Sequence, residues 1–318
     1  MTAADSAAIA AALTGAPAVT ILCHVRPDAD TIGSGLALGL ALDRRGVDVE
    51  VAYPGDERLP CALASLPGAK LLVRETELTG HRVVVSVDAA NLGRLSSLGD
   101  VFSAAEVGIA VDHHASNPGF GDLDLIDADS DCTAVLVLRI LDAMQVDVDV
   151  DIATCLYAGL LTDTGSFKWA RPDSFRVAAR LLEAGVDGRM WSRILIDTHP
   201  FSWFSMVSRV LDSATLVPAA CNGEGLVYAV VDRTAMAGMS WDESESVVDI
   251  VRTASEAEIA AVFKESEPGE WTVSLRSKST VDVMLIARSH GGGGHRHASG
   301  YSAAGSADEV VAELVDDL

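Results

Sequence analysis

The stretch EVGIAVDHH, residues 106–114, places an aspartate and two adjacent histidines directly after an apolar run. An apolar run of this kind is typical of a strand that is buried on both faces of a sheet. Three side chains that can bind metal or move protons, at the end of such a strand, indicate a functional site. A simpler interpretation is an aspartate that caps the next segment and two solvated histidines, since short motifs often occur by chance. The rest of the chain decides between the two interpretations.

Three further apolar runs, at 18–25, 47–53 and 82–89, alternate with helical patterns such as residues 31–46. This alternation predicts an α/β fold whose first domain is a parallel sheet with helices on both faces. Helical periodicity continues through residues 132–200, and a smaller α+β pattern follows. The sequence therefore predicts two domains and a linker, over 1–190, 214–318 and 191–213 respectively.

The composition limits the function classes. Of 318 residues, 49% are hydrophobic and 22% charged, which favours packed cores over disorder. The formal net charge of −23 disfavours long nucleic acids, which bind basic surfaces, so any nucleotide substrate is expected to be short. Five scattered cysteines, no basic leader and no run of about 18 apolar residues predict a cytoplasmic protein without a membrane span.

Polar clusters follow several of the predicted elements. Because ligands of α/β sheets gather at the carboxyl ends of strands, these clusters are expected to meet. Closely packed carboxylates repel one another, and divalent cations remove that cost. Imidazole and carboxylate ligands without thiolate favour manganese, magnesium, iron or cobalt over a structural zinc, in a two-metal arrangement that activates water at phosphorus. Turn, cap and core roles stay open for each residue taken singly: His24, Asp28, Asp30, Asp88, Asp112, His113, His114 and Asp163.

The motifs together resemble the DHH phosphoesterase superfamily. HVRPDADTIGS, VDAAN, DHH and TDTGSF match its four metal motifs in order, and GGGGHRHASG is similar to the glycine-rich signature of its associated C-terminal domain. The resemblance implies two metal ions, manganese first, with Asp88 bridging them and Asp112 orienting a histidine. It leaves His114 for the substrate phosphate or the leaving oxygen. The implied metal ligands are His24, Asp28, Asp30, Asp88, His113 and Asp163.

The C-terminal domain is expected to bind the substrate. The four-glycine stretch could expose backbone N–H groups as an anion-binding loop, and an arginine fork suits phosphate oxygens. Arg94 is either a substrate contact or a structural arginine. Ser299 stands where the family usually has alanine. The predicted substrate-binding residues are Arg276, Ser277, Gly293, Gly294, His295 and Arg94, with the active site expected in the cleft between the domains.

These features predict a phosphodiesterase of the nanoRNase type that releases nucleoside monophosphates from very short RNA. Cyclic di-AMP and 3′-phosphoadenosine 5′-phosphate are related candidate substrates, and the resemblance implies a homodimer. Two alternatives stay open: a family II-like inorganic pyrophosphatase, and a metal-dependent nucleotide sensor without turnover. The basic C-terminal signatures of the pyrophosphatases are not found in the sequence, and a sensor has no need of the full catalytic set.

Overall fold

The computed structural model describes residues 6–236, 239 and 241–318, without the side chains of residues 241 and 242. Residues 1–5, the start of the segment predicted not to be a leader, lie outside the described residues. The chain forms two compact units, the N-terminal unit (Met1–Thr198) and the C-terminal unit (His199–Leu318). Their boundary falls within the range 191–213 that the sequence assigns to a linker.

A five-stranded sheet forms the centre of the N-terminal unit. Its strand order is β2-β1-β3-β4-β5, and every neighbouring pair is parallel. Hydrophobic clusters lie on both faces: Ile21 and Val85 belong to one cluster, and Leu22 and Val84 to the other. Burial on both faces explains why the strands are almost continuously apolar. The strands are β1 (Ala18–Leu22), β2 (Asp48–Ala52), β3 (Val83–Val87), β4 (Val107–Asp112) and β5 (Leu123–Ile126).

Helices cover this sheet and supply part of the site. The α-helices are α1 (Ser6–Thr14), α2 (Ala29–Asp43), α3 (Cys61–Ala64), α4 (Gly99–Ser103), α5 (Thr133–Ala143), α6 (Val150–Asp163), α7 (Pro172–Glu183) and α8 (Gly188–Leu195). Three 3₁₀ segments lie at Ala69–Leu71, Glu75–Glu77 and Leu92–Leu98. In the part of the chain that is described, no helix combines the length and the apolar character needed to cross a bilayer.

Close packing of α2 against α6 sets the position of two acidic residues. A Cβ atom on Gly159 of α6 would lie 2.4 Å from the Asp30 Oδ1 atom of α2, so only glycine permits this approach. Asp163 is the last residue of α6. The glycine contact therefore helps to bring the end of α6 beside the start of α2.

A six-stranded mixed sheet forms the C-terminal unit, in the order β10-β11-β9-β8-β7-β6. Strands β7 and β8 are parallel, and the other pairs are antiparallel. The strands are β6 (Thr215–Val217), β7 (Leu226–Val231), β8 (Ile259–Glu267), β9 (Glu270–Ser277), β10 (Gly293–His295) and β11 (Ala298–Ala304). The helices are α9 (Phe201–Asp212), α10 (Ala220–Gly223), α11 (Trp241–Glu245), α12 (Val247–Val251), α13 (Val283–Ser289) and α14 (Ala307–Asp316).

The predicted fold class is confirmed, but the prediction of a glycine-rich loop at 291–295 is wrong in part. Gly293, Gly294 and His295 form β10, which pairs with β11 in a hairpin at the edge of the mixed sheet. Gly292 just before it must be glycine, since a Cβ atom there would lie 2.1 Å from the Gly300 carbonyl oxygen. The glycines therefore serve close backbone approach in a hairpin and are not simply a bare loop.

Candidate metal centre

The strand order places the site. Strand β1 lies between β2 and β3, so the connections that follow β1 and β3 run toward opposite edges of the sheet. Open α/β sheets bind ligands at the carboxyl ends of strands beside such a switch point. His24 and Asp28 follow β1, Asp88 follows β3, and His113 follows β4. The sheet thus carries these four side chains to one edge.

A first group of potential ligands consists of His24, Asp28 and Asp88, whose ligand atoms all lie within 4.8 Å of one another. The His24 Nε2 atom is 3.4 Å from Asp28 Oδ2 and 3.4 Å from Asp88 Oδ2. His24 and Asp88 are buried, whereas the Asp28 side chain is 54% exposed. Three donor atoms therefore face a common point that opens to solvent beside Asp28.

A second group consists of Asp30, His113 and Asp163. The His113 Nε2 atom is 3.3 Å from Asp163 Oδ2 and 3.9 Å from Asp30 Oδ2. It also lies 3.5 Å from Asp88 Oδ1. The two oxygens of Asp88 thus face different histidines, Oδ2 toward His24 and Oδ1 toward His113, which is the arrangement a bridging carboxylate requires.

Local backbone structure holds the aspartates in place. Asp28 caps α2, and its Oδ1 atom accepts hydrogen bonds of 3.0 Å from the N–H groups of Asp30 and Thr31. Its Oδ2 atom is the one that faces His24. Asp88 has a left-handed backbone with φ +61°. Such strain is uncommon outside glycine, is least costly for Asn and Asp, and concentrates at functional sites.

The Nδ1 atom of each of these two histidines lies beside a backbone carbonyl oxygen. His24 Nδ1 lies 2.8 Å from the Val25 oxygen, and His113 Nδ1 lies 3.3 Å from the Ser130 oxygen. This pattern leaves Nε2 as the ligand atom and fixes the orientation of the ring, as is usual for metal-binding histidines. The structure places Arg94 beside His24, with Nη2 3.1 Å from Nδ1.

Crowding of negative charge shifts the pKa values of the buried aspartates upward. Burial raises the pKa of Asp88 well above its usual range, and the charges of Asp30 and Asp28 add to the effect. Burial also raises the pKa of Asp30, and that of Asp163 to about 7 with a further contribution from Asp30. Four carboxylates in so small a volume cannot all ionise without compensating positive charge.

Asp28 and His113 shift in the directions that favour their charged forms. Partial burial opposes ionisation of Asp28, but the charge and hydrogen bond of His24 and the Thr31 N–H hold its pKa below the usual range. Burial likewise opposes protonation of His113, but Asp163, Asp88 and Asp30 raise its pKa well above the usual value. A protonated His113 is one source of positive charge for the cluster, and a divalent cation is the other.

The donor set fits hard or borderline divalent cations. It contains carboxylates and imidazoles, which suit manganese, magnesium, iron or cobalt. Cys23 precedes His24 in the chain, but burial raises the pKa of its thiol to about 12, so it is not a thiolate at neutral pH. The six residues of the two groups could hold two such ions, which we call the metal centre: His24, Asp28, Asp30, Asp88, His113 and Asp163.

His114 and Asp112 form a pair beside this centre. The His114 Nδ1 atom lies 2.7 Å from Asp112 Oδ1, and Asn117 donates to the other Asp112 oxygen at 2.7 Å. Burial opposes ionisation of Asp112, but His114 and Asn117 lower its pKa to about 2. The histidine that Asp112 contacts is therefore His114, and Asp112 stays ionised at neutral pH. Nε2 is the ring nitrogen of His114 that Asp112 does not engage.

Thr133 contacts the metal centre but lies in none of the sequence motifs. Its N–H donates to Asp30 Oδ2 at 2.6 Å, and its Oγ1 donates to Asp88 Oδ1 at 2.8 Å. A threonine at the first turn of an apolar helix is common, so its residue type carries no special signal. The one available hint is its place directly after the predicted start of a helix in an α/β site.

The predicted substrate-binding residues of the C-terminal unit have local partners. Arg276 of β9 donates to the Leu275 oxygen at 3.0 Å, and its side chain is 24% exposed. Ser277 is buried, and its hydroxyl lies 2.8 Å from His297 Nδ1. Because successive strand residues point to opposite faces, Arg276 and Ser277 do not share one face of the sheet. Substrate binding by these residues and by His295 stays a prediction.

Comparisons with known proteins identify the family. The model of the DHH family N-terminal domain matches residues 18–160, and the model of the DHHA1 domain matches residues 223–318. The bifunctional oligoribonuclease and PAP phosphatase NrnA of Thermus thermophilus is 33% identical over 287 residues, covering 89% of this chain and 83% of its own. The probable bifunctional oligoribonuclease and PAP phosphatase NrnA of Streptococcus mutans is 27% identical over 280 residues, covering 87% and 86%.

A solved structure shares the whole fold. The crystal structure of an exopolyphosphatase-related protein from Bacteroides fragilis has a TM-score of 0.86 at 24% identity, covering 98% of this chain and 96% of its own. This chain belongs to the DHH family and carries a DHHA1 domain after its DHH domain. The resemblance inferred from the motifs is thereby confirmed.

Proposed function

We propose that this chain is a two-metal phosphodiesterase that hydrolyses very short oligoribonucleotides, such as the linear dinucleotide pApA, to nucleoside monophosphates. Manganese is the first choice of metal. Removal of the 3′-phosphate of 3′-phosphoadenosine 5′-phosphate is a second activity of the same site, and cyclic di-AMP is a further candidate substrate.

One observation carries the proposal: Asp88 lies between two groups of ligands. Its Oδ2 atom is 3.4 Å from His24 Nε2 and its Oδ1 atom 3.5 Å from His113 Nε2. A carboxylate shared in this way is the hallmark of paired metal ions, which hydrolases use to bind both the attacking and the leaving oxygen. The raised pKa values of Asp88, Asp30 and Asp163 reflect the free-energy cost of ionising crowded carboxyl groups, and bound cations would remove that cost.

The pair of His114 and Asp112 supports hydrolysis rather than binding alone. When bound, the two metal ions would supply a water of lowered pKa and charge neutralisation at phosphorus. Asp112, ionised and buried, lies 2.7 Å from His114 Nδ1 and so fixes the orientation of the ring. Held in this way, His114 could donate from Nε2 to a phosphate oxygen or to the leaving oxygen. A protein that only sensed nucleotides would not need this donor.

Two considerations support short nucleotides as the substrate. Two relatives that match most of this chain are named as bifunctional oligoribonucleases and PAP phosphatases, one of them as a probable one. The net charge of −23 disfavours a long trailing strand, because nucleic-acid affinity depends on neutralising many phosphates.

A substrate panel tests the proposal. Full-length protein with Mn²⁺ should release AMP from pApA, cut two- to four-nucleotide RNA well and cut a 20-nucleotide RNA poorly. The panel includes cyclic di-AMP, 3′-phosphoadenosine 5′-phosphate and pyrophosphate under identical conditions. Equal rates on pApA and the 20-mer would refute the length limit. Fastest turnover of pyrophosphate would favour the pyrophosphatase, and no turnover of any substrate would favour the sensor.

The variant Asp88→Asn, measured on the same panel, tests the two-metal assignment. Asparagine tolerates the left-handed backbone at this position and keeps the shape of the side chain, but it removes the shared negative charge. The loss of rate on pApA should exceed the roughly 10²–10³-fold cost of removing a single transition-state donor. Activity of Asp88→Asn within twofold of the natural protein would contradict the two-metal assignment.

A further inference from the structure

The first turn of α5 contacts two carboxylates of the metal centre with three donors. The Thr133 N–H donates to Asp30 Oδ2 at 2.6 Å, and the Ala134 N–H donates to Asp30 Oδ1 at 2.9 Å. The Thr133 hydroxyl donates to Asp88 Oδ1 at 2.8 Å. Thr133 is fully buried, so water does not compete for these bonds. One residue thus ties together two ligands that lie 58 positions apart in the chain.

These contacts fall on one side of the metal centre. Asp88 Oδ1, which accepts the Thr133 hydroxyl, is the oxygen that faces His113, whereas Oδ2 faces His24. Asp30 belongs to the same group as His113. The segment just before α5 also contacts this group, because the Ser130 oxygen lies 3.3 Å from His113 Nδ1. The start of α5 therefore acts on the second group of ligands.

We infer that Thr133 is a positioning residue that sets the affinity of one of the two metal ions, the ion held by Asp30, His113 and Asp163. The inference rests on the proposed function, which supplies the two ions. A carboxylate oxygen has two lone pairs, so an oxygen that accepts a hydrogen bond from Thr133 can still bind a cation. The bond stops rotation of the carboxylate, and outer contacts of this kind commonly change metal affinity 10–100-fold.

A purely structural role would look different, and the chain offers a matched case. The Thr20 hydroxyl also donates to a buried carboxylate, Glu50 Oε1, at 2.6 Å, and Thr20 is fully buried as well. Glu50 is not one of the six residues of the metal centre. Loss of either hydroxyl should lower thermal stability, but only loss of the Thr133 hydroxyl should change metal binding.

Calorimetric titration of the chelator-treated, full-length protein with Mn²⁺ tests the inference. The natural protein should bind two ions. Thr133→Val keeps the shape and both backbone donors but lacks the hydroxyl, and it should weaken one ion about 10–100-fold while the other is unchanged. Thr133→Ser restores the hydroxyl and should restore both affinities. Thr20→Val should lose stability and keep both affinities.

Several outcomes would overturn the role of Thr133. These are unchanged binding of both ions by Thr133→Val, an equal effect of Thr20→Val, or a Thr133→Ser variant as weak as Thr133→Val. If Thr133→Val does not fold, Thr133→Ala removes the same hydroxyl and gives the same comparison. A natural protein that binds no Mn²⁺ would overturn the proposed function together with this role. Normal two-ion binding with an unaffected Thr133→Val would overturn the role alone.

Discussion

The two units arrange their candidate functional residues in opposite ways. In the N-terminal unit, six side chains from separate segments converge, and the contacts of the two histidines with the carboxylates measure 3.3–3.9 Å. In the C-terminal unit, the five predicted residues lie on β9 and β10. Arg276 contacts the Leu275 oxygen and lies 3.9 Å from Asp249 Oδ1, and Ser277 contacts His297. The six residues of the metal centre, which we call the convergent set, come from separate segments that meet. The five residues on β9 and β10, which we call the adjacent set, are neighbours within one sheet.

The difference follows from the two kinds of sheet. A parallel sheet delivers every strand's carboxyl end to the same edge, so polar residues placed after several strands must meet there. A mixed sheet delivers neighbouring strand ends to opposite edges, and successive residues of a strand point to opposite faces. A position directly after a strand therefore predicts well that a residue joins a common site in the N-terminal unit, and predicts it poorly in the C-terminal unit.

Removal of His114, which lies beside the convergent set, is the sharpest test of the site in the N-terminal unit. His114→Ala should lower the rate on pApA about 10²–10⁴-fold, because a donor to the reacting phosphate is lost, while two Mn²⁺ ions still bind. The measurement pairs steady-state kinetics with metal titration. His290→Ala is the matched control, since His290 forms a similar pair with Asp317 at 2.8 Å in the C-terminal unit. A fall in metal stoichiometry for His114→Ala would instead make His114 a ligand.

Much of the N-terminal unit could be predicted from sequence because its signals are strong. The runs predicted at 18–25 and 82–89 contain β1 and β3, and the helix predicted at 31–46 overlaps α2 over most of its length. Continuous apolarity marks strands that are buried on both faces. All six potential metal ligands named from the motifs meet in the structure.

The rest could not be predicted, for identifiable reasons. Strand β5, LDLI, has only four residues and is interrupted by Asp124, and β11 is built largely of alanine, serine and glycine, which are small residues that pack poorly on a strand. Segment β5 forms a strand because it pairs with β4, and β11 because it pairs with β9. The left-handed backbone of Asp88 and the double contact of Thr133 depend on tertiary geometry, which residue types do not report.

Arg276 and His295 test the adjacent set, with a smaller expected effect. Arg276→Ala or His295→Ala should raise the KM for pApA about 10-fold, the value of one charge-assisted hydrogen bond, and leave Mn²⁺ affinity unchanged. Slow hydrolysis of a small chromogenic phosphodiester should persist. Arg233→Ala removes another partly exposed arginine of the C-terminal unit and serves as control. Normal pApA kinetics in both variants would show that these residues do not bind the substrate.

The smallest expected effect is a change of melting temperature with pH, and its sign should differ between one variant of each unit. Burial, with a contribution from Asp30, raises the pKa of Asp163 from 3.8 to about 7. Below about pH 4 both folded and unfolded states hold this proton, so the group contributes nothing. Between about pH 4 and 7 only the folded state holds it, so Asp163 progressively destabilises the metal-free fold as pH rises. Asp163→Asn does not titrate, so it should gain melting temperature relative to the natural protein as pH rises.

Glu258 of the C-terminal unit should show the opposite sign. Partial burial opposes its ionisation, but the N–H groups of Ser279, Thr280 and Val281 lower its pKa below 4.5. Such a carboxylate stabilises the fold above the pKa of the unfolded state, and the contribution is lost as pH falls through the folded value. Glu258→Gln should therefore lose melting temperature relative to the natural protein as pH rises. Thermal unfolding of both variants with a chelator at pH 4, 5.5 and 8 measures the two trends. Parallel trends would mean that charge crowding does not distinguish the metal centre from an ordinary hydrogen-bonded carboxylate, whereas a reversal of the Asp163→Asn trend on adding Mn²⁺ would tie the crowding to metal binding.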